Sequence, residues 1–126
     1  MPLQIKNKTI VGTIDNLNEK LNGKIPINKL ELIYLVNSWG REYSSDYKID
    51  ENNIIFHRCN KEDCYDLSKL DTSEITDMED IFRYSLFNGD ISTWDVSNVT
   101  SMNKMFYEAK NFNSPLNSWN TSKVKN

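Results

Sequence analysis

A chain of 126 residues, 38% of them hydrophobic, is long enough for one domain with a modest core. Its net charge of −3, with acidic and basic side chains interspersed, leaves no basic stripe to neutralise a phosphate backbone and argues against nucleic-acid partners. No apolar run approaches membrane-spanning length and "MPLQIKNKTIVGTIDN" has no secretory apolar stretch, so neither membrane insertion nor a signal peptide is expected.

Residues 1–64 read as an N-terminal capping region. Ile5, Ile10, Gly12 and Ile14 alternate with polar residues and predict a strand pair within 1–25. Pro26 and Asn28 then precede "KLELIYLVNSWGREY", where Leu30, Ile33, Tyr34, Val36 and Trp39 share one face of an amphipathic helix over about 28–43, with Gly40 near its end. A polar loop, "REYSSDYKIDENN", leads to "IIFHRC", a predicted strand over 54–59.

The two cysteines, Cys59 and Cys64, form no disulfide framework, and a reducing compartment suits them better. With His57 and the neighbouring Asp63 they are the candidate metal ligands of this chain. H-x-C-x4-C is nevertheless a poor match to structural zinc spacing, so packed cysteines and a surface histidine are the preferred reading, and no cofactor is expected. Lys outnumbers Arg 12 to 3 and Asn reaches 17, the composition that AT-rich codons give.

The second half repeats. When "LDTSEITDMEDIFRYSLFNGDIST" (70–93) is set above "WDVSNVTSMNKMFYEAKNFNSPLNS" (94–118) and "WNTSKVKN" (119–126), Leu70, Trp94 and Trp119 align. So do Asp71, Asp95 and Asn120; Ser73, Ser97 and Ser122; and Ile75, Val99 and Val124. Met78 matches Met102, Ile81 matches Met105, and Phe82 matches Phe106. The period, 24 then 25, belongs to the leucine-rich-repeat range. Each unit reads as a short strand ("ISTWDVSN", 91–98) followed by about two helical turns, with Met102, Met105, Phe106 and Ala109 on one face. Neither element buries its apolar face alone, whereas stacked neighbours share a continuous core.

The pattern W-D-x-S-x-V-T-x-M-x-x-M-F at 94–106, half repeated at 70–82, resembles the BspA-like leucine-rich repeats. It is closest to the variant found in surface and lipoprotein repeats of mollicutes, other bacteria, protists and large DNA viruses. That resemblance implies a scaffold for adhesion or protein–protein contact without a shared catalytic activity. It covers 65–126, as two repeats and a partial third.

The expected fold is therefore an α/β repeat, a short solenoid of leucine-rich-repeat type with an N-terminal capping helix, and the expected function is a non-enzymatic protein-interaction or structural module. Its contact candidates are the outward positions of the strand face, Ser68, Lys69, Ser92, Thr93, Asn117 and Ser118, and the C-terminal end with Trp119 and Val124. A protein partner or self-association would use one of these surfaces. The alternative is a component of a larger assembly such as a virus particle, with the unfinished third repeat covered by a neighbouring chain, which makes the cytoplasm or a virus particle the expected location. Asp71, Asp95 and Asn120 admit a cation ladder, but they fit better as acceptors of backbone N–H groups in the turns. No nucleophile and base converge in the sequence to suggest catalysis.

Overall fold

The computed structural model describes residues 2–6, 9–41 and 64–126. Strands β1 (Gln4–Lys6) and β2 (Thr9–Val11) pair antiparallel, with Ile5 opposite Ile10. A short helix, α1 (Leu17–Leu21), follows and packs Leu17 and Leu21 against the core. The chain then crosses the first turn of the repeat region at Gly23 (φ 77°), where a Cβ would stand 2.4 Å from the Lys69 carbonyl oxygen. Only a residue without a side chain allows that approach.

Helix α2 (Lys29–Asn37) begins with a capping box. Asn28 accepts from the Glu31 N–H at 2.8 Å, and the Glu31 carboxylate accepts from the Asn28 N–H at 3.0 Å. Leu32, Ile33, Leu35 and Val36 are all buried, so the helix is enclosed on most of its circumference rather than along one stripe. Leu32 and Leu35, which the one-sided reading left out, are as fully enclosed as Val36. The helix is also shorter than the expected span to residue 43. The N–H groups of Ser38, Trp39 and Gly40 bond to carbonyls three residues back, and Gly40 takes a φ of 86°, which ends the helical ladder. The strand expected at 54–59 lies outside the described residues.

Beyond Tyr65 the chain winds in coils, the first over about 67–90, the second over 91–115 and a third beginning at 116. Each coil turns twice in quick succession. Leu70, Trp94 and Trp119 donate to the carbonyls of Leu67, Ile91 and Leu116, and Ile75, Val99 and Val124 donate to those of Thr72, Val96 and Thr121. Among the described residues no strand or α-helix occurs after α2, so the strand expected at 91–98 and the helix expected at 101–109 are both replaced by turns.

Backbone bonding accounts for the missing helix. Over 78–85, the N–H groups of Ile81, Arg83 and Ser85 close turns onto Met78, Asp80 and Phe82, whereas those of Met78, Asp80, Phe82 and Tyr84 reach the carbonyls of Ser101, Asn103, Met105 and Tyr107 in the next coil, at 2.8–3.1 Å. Every second donor thus leaves its own coil, which a helix cannot allow. Asp80, Tyr84, Lys104 and Glu108 accordingly sit at φ values of 55–63°, in the left-handed region. Spacing at i, i+3 and i+4 still brings Met102, Met105 and Phe106 inward, so the sequence pattern is satisfied without a helix.

One core runs through α2 and the coils. Phe82, with no exposed surface, lies at its centre. Its ring stacks on Phe106 at 5.5 Å and 2°, on Phe87 at 5.1 Å, and on Trp94 at 5.7 Å. Trp94 stacks in turn on Trp119 at 6.5 Å, and Phe87 on Phe112 at 6.4 Å. Equivalent side chains in successive coils thus lie over one another, which adds to area burial the extra stabilisation of offset aromatic pairs.

The sign of a substitution separates this geometry from a helix. Lys104→Gly and Glu108→Gly relieve a left-handed backbone, so each should leave stability unchanged or raise it by up to ~1 kcal/mol. In a helix the same changes would cost about 1 kcal/mol each. Urea denaturation of the two variants distinguishes the two cases.

Candidate interaction surface

Five of the six corner turns are set by an acceptor two residues before a serine; the first turn of the third coil has Pro115 and Asn117 at those two positions. Asp66, Asp71, Asp90, Asp95 and Asn120 accept from the N–H groups of Ser68, Ser73, Ser92, Ser97 and Ser122, at 2.8–3.1 Å. The aligned polar column of the sequence therefore does turn-forming work, with Asn120 filling the same role as the carboxylates.

These contacts hold the acids in their ionised form. The Asp66 and Asp90 carboxyls lie below the usual carboxylate range because first the backbone N–H and then the hydroxyl of the following serine bond to the carboxylate. Asp95 is lowered the same way, with the Ser97 hydroxyl as the larger influence. At Asp77 burial opposes ionisation, but the Glu79 N–H and the Lys29 ammonium at 2.9 Å together outweigh it.

The six strand-face candidates all fall on the first turn of a coil, Ser68 and Lys69 below Ser92 and Thr93, and these below Asn117 and Ser118. They form a file of corners rather than a strand face. The Thr93 hydroxyl donates to the Ser68 carbonyl at 2.7 Å, and the Ser118 hydroxyl to the Ser92 carbonyl at 2.9 Å. Lys69, Thr93, Asn117 and Ser118 are exposed, while Ser68 and Ser92 are half-buried. A second file, absent from the sequence reading, runs along the next turn. The Asn98 amide donates to the Ser73 carbonyl at 2.8 Å, and the Lys123 ammonium reaches the Asn98 side-chain oxygen at 3.1 Å. The same 25-residue spacing, carried by polar rather than apolar residues, is the signal that marks it in the sequence.

The two ends of the stack differ. On the α2 side, the buried guanidinium of Arg41 donates to the carbonyls of Ile81 (2.6 Å) and Arg83 (2.7 Å), while its Nε donates to the Asn37 side-chain oxygen at 2.7 Å. These are the carbonyls that in the second coil receive the bonds of the first, so among the described residues Arg41 closes the edge of the first coil that faces away from the second. Arg41 carries no repeat signature and could not be found from periodicity. At the other end Trp119 and Val124 are half-buried. The Trp119 indole donates to the Ile91 carbonyl at 3.1 Å, as the Trp94 indole does to that of Leu67 at 2.7 Å, so Trp119 belongs to the stacking as well as to the surface.

Of the metal candidates, His57 and Cys59 lie outside the described residues. Cys64 is half-buried, and its thiol donates to the Ser38 carbonyl at 3.5 Å. Among the described residues no three side chains of metal-ligating type converge, and no helix is long and apolar enough to cross a membrane.

A family model described as Mycoplasma protein of unknown function, DUF285, matches residues 51–126, more than half of the chain and all of its coils. No curated protein matches the chain, and no solved structure does.

Two outcomes follow from this geometry. Arg41→Met leaves the Ile81 and Arg83 carbonyls and the Asn37 amide without their donor and should lower unfolding stability by at least about 3 kcal/mol, with Arg41→Lys recovering only part because a point ammonium lacks the planar fork. Chemical denaturation measures both. Acid provides the second. Asp66, Asp90 and Asp95 bind protons less readily when folded, so their contribution is present above the ordinary value of 3.8 and is lost as pH falls through the lower folded values. The melting temperature should hold between pH 7 and about 5 and fall below about 4. Asp66→Asn/Asp90→Asn/Asp95→Asn, which keeps each acceptor, should flatten that acid limb.

Proposed function

We propose that this chain, which belongs to the family described as Mycoplasma protein of unknown function, DUF285, is a non-enzymatic repeat module that binds another protein. The stacked coils support reading it as a short leucine-rich-repeat-type solenoid of the BspA-like kind, closed at one end by α2 and Arg41. The observation that carries the functional reading is the file of turn corners. Nearly every inward repeated side chain is committed to stacking, whereas Lys69, Thr93 and Ser118 stand in register along one exposed edge, with exposed Asn117 beside them. A ladder of polar groups at fixed spacing on a rigid scaffold suits recognition of an extended partner surface.

A photo-crosslinking residue placed at Lys69 or at Asn117 should capture one discrete protein in cells, and the same residue at Asn18, on α1, should not. Equal labelling from all three sites, or none from the corner file, would remove this reading.

The second reading, a component of a larger assembly such as a virus particle, draws on the half-buried Trp119 and Val124 at the far end of the stack. Light scattering separates the two. A cooperatively melting monomer favours the interaction module, and a defined oligomer favours the assembly component.

A further inference from the structure

Glycine follows asparagine at two places in the chain, Asn22–Gly23 and Asn88–Gly89, and the fold treats the two steps oppositely. In such a step the side-chain carbonyl carbon can close a five-membered ring with the next backbone nitrogen, and glycine, having no Cβ, leaves that approach open. At Asn22 the reacting groups are tied. Its side-chain nitrogen donates to the Asn18 carbonyl at 2.8 Å, its N–H donates to the same carbonyl at 3.1 Å, and the Gly23 N–H donates to the Lys20 carbonyl at 3.2 Å. Its backbone is fixed as the C-cap of α1, at φ −91° and ψ 2°. Neither the amide nor the attacking nitrogen can turn without opening hydrogen bonds.

Asn88 has no such frame. It is exposed, and among the described residues neither its side chain nor the Gly89 N–H makes a hydrogen bond. The glycine is nevertheless required. A Cβ at position 89 would stand 2.8 Å from Cζ of Phe87. That ring cannot retreat, being 1% exposed, edge-on to Trp39 at 4.8 Å and stacked on Phe82 at 5.1 Å. In the next coil the equivalent step is Asn113–Ser114, where the serine hydroxyl accepts from the Ile91 N–H and donates to the Asp90 carboxylate, both at 3.2 Å. Core packing thus places, after an exposed and unheld asparagine, the residue type that shields it least.

We propose that Asn88 is a site of spontaneous covalent modification, cyclising onto Gly89 and opening to aspartate or isoaspartate. The Gly89 nitrogen gives up its proton and attacks the Asn88 side-chain carbonyl carbon. A C–N bond forms, the bond to the side-chain nitrogen breaks, and that nitrogen leaves with the proton as ammonia. Water then adds to the cyclic imide. Opening at the side-chain carbonyl gives aspartate, and opening at the main-chain carbonyl gives isoaspartate, whose backbone is one carbon longer. The sequence consumes only water and releases only ammonia. The added charge and the extra carbon fall two residues before Asp90, whose carboxylate accepts from the Ser92 N–H and sets the turn that carries Thr93. The modification therefore acts on the junction between the first and second coils.

Peptide mass mapping of the full chain, held folded in mildly alkaline buffer and sampled over time, tests it, with electron-transfer fragmentation separating isoaspartate from aspartate. The peptide spanning Asn88 should gain about one dalton and show both isomers. The peptide spanning Asn22 should change at least about tenfold more slowly, because its hydrogen bonds must open first. In concentrated urea the two steps should convert at nearly equal rates, since both are followed by glycine and only the fold separates them. Equal rates in the folded chain overturn the proposal, and so does a folded rate at Asn88 about tenfold or more below its own rate in urea, which would mean that the fold protects it. Asn88→Gln keeps an exposed amide but cannot close the five-membered ring, so it should abolish the gain; a gain that persists in that peptide overturns the assignment. The measurement involves no partner protein, so its outcome is independent of the corner-file reading.

Discussion

A backbone N–H makes one good hydrogen bond, and between Met78 and Tyr84 every second one is given to the neighbouring coil. From this constraint the rest of the repeat region follows. A segment that sends half of its donors outward cannot keep a helical ladder, so it folds as linked turns and accepts left-handed backbone at Asp80, Tyr84, Lys104 and Glu108. The same division gives the stack its polarity, since one side of each coil presents oxygens and the other presents hydrogens. The oxygen side of the first coil then needs a cation with several donors, and Arg41 supplies it from the segment just after α2.

The side chains divide the remaining work by position. Inward residues stack on their equivalents one coil away, with Phe82 at the centre, while Asp or Asn acceptors fix five of the six corner turns. Tryptophan serves both needs, its ring stacked on the next and its indole N–H tied to a carbonyl of the previous coil. With inward and turn-setting positions committed in this way, variation without structural cost is concentrated at exposed corners, and there the three coils do differ: Lys69, Thr93 and Ser118 occupy one column.

The repeat was legible because stacking forces like residues to recur at a fixed interval, and the columns headed by Leu70, Trp94 and Trp119 record it. The turn-setting role of Asp71, Asp95 and Asn120 was legible for the same reason, each lying two residues before a serine. The helix at 101–109 was misread because Met102, Met105, Phe106 and Ala109 face inward in a helix and in linked turns alike; the difference lies in where the backbone donors go, which side-chain spacing does not encode. The enclosure of Leu32 and Leu35 was missed because a helix covered on most sides shows no clean stripe. Arg41 was invisible for another reason. It acts once, at an end, and nothing that acts once leaves a period.

Register along the stack also bears on how such a chain changes its length over generations. The one-residue difference between the two periods is absorbed between the column of Phe82 and Phe106 and that of Phe87 and Phe112, away from the turn-setting columns. A gain or loss of one whole unit preserves every rung, whereas a single-residue slip anywhere within 94–106 would detach the aromatic column from the backbone rungs beside it. Recombination that adds or removes a whole unit is thus the genetic event this architecture tolerates best, and lineages carrying it should differ in the number of coils more readily than in the size of any one.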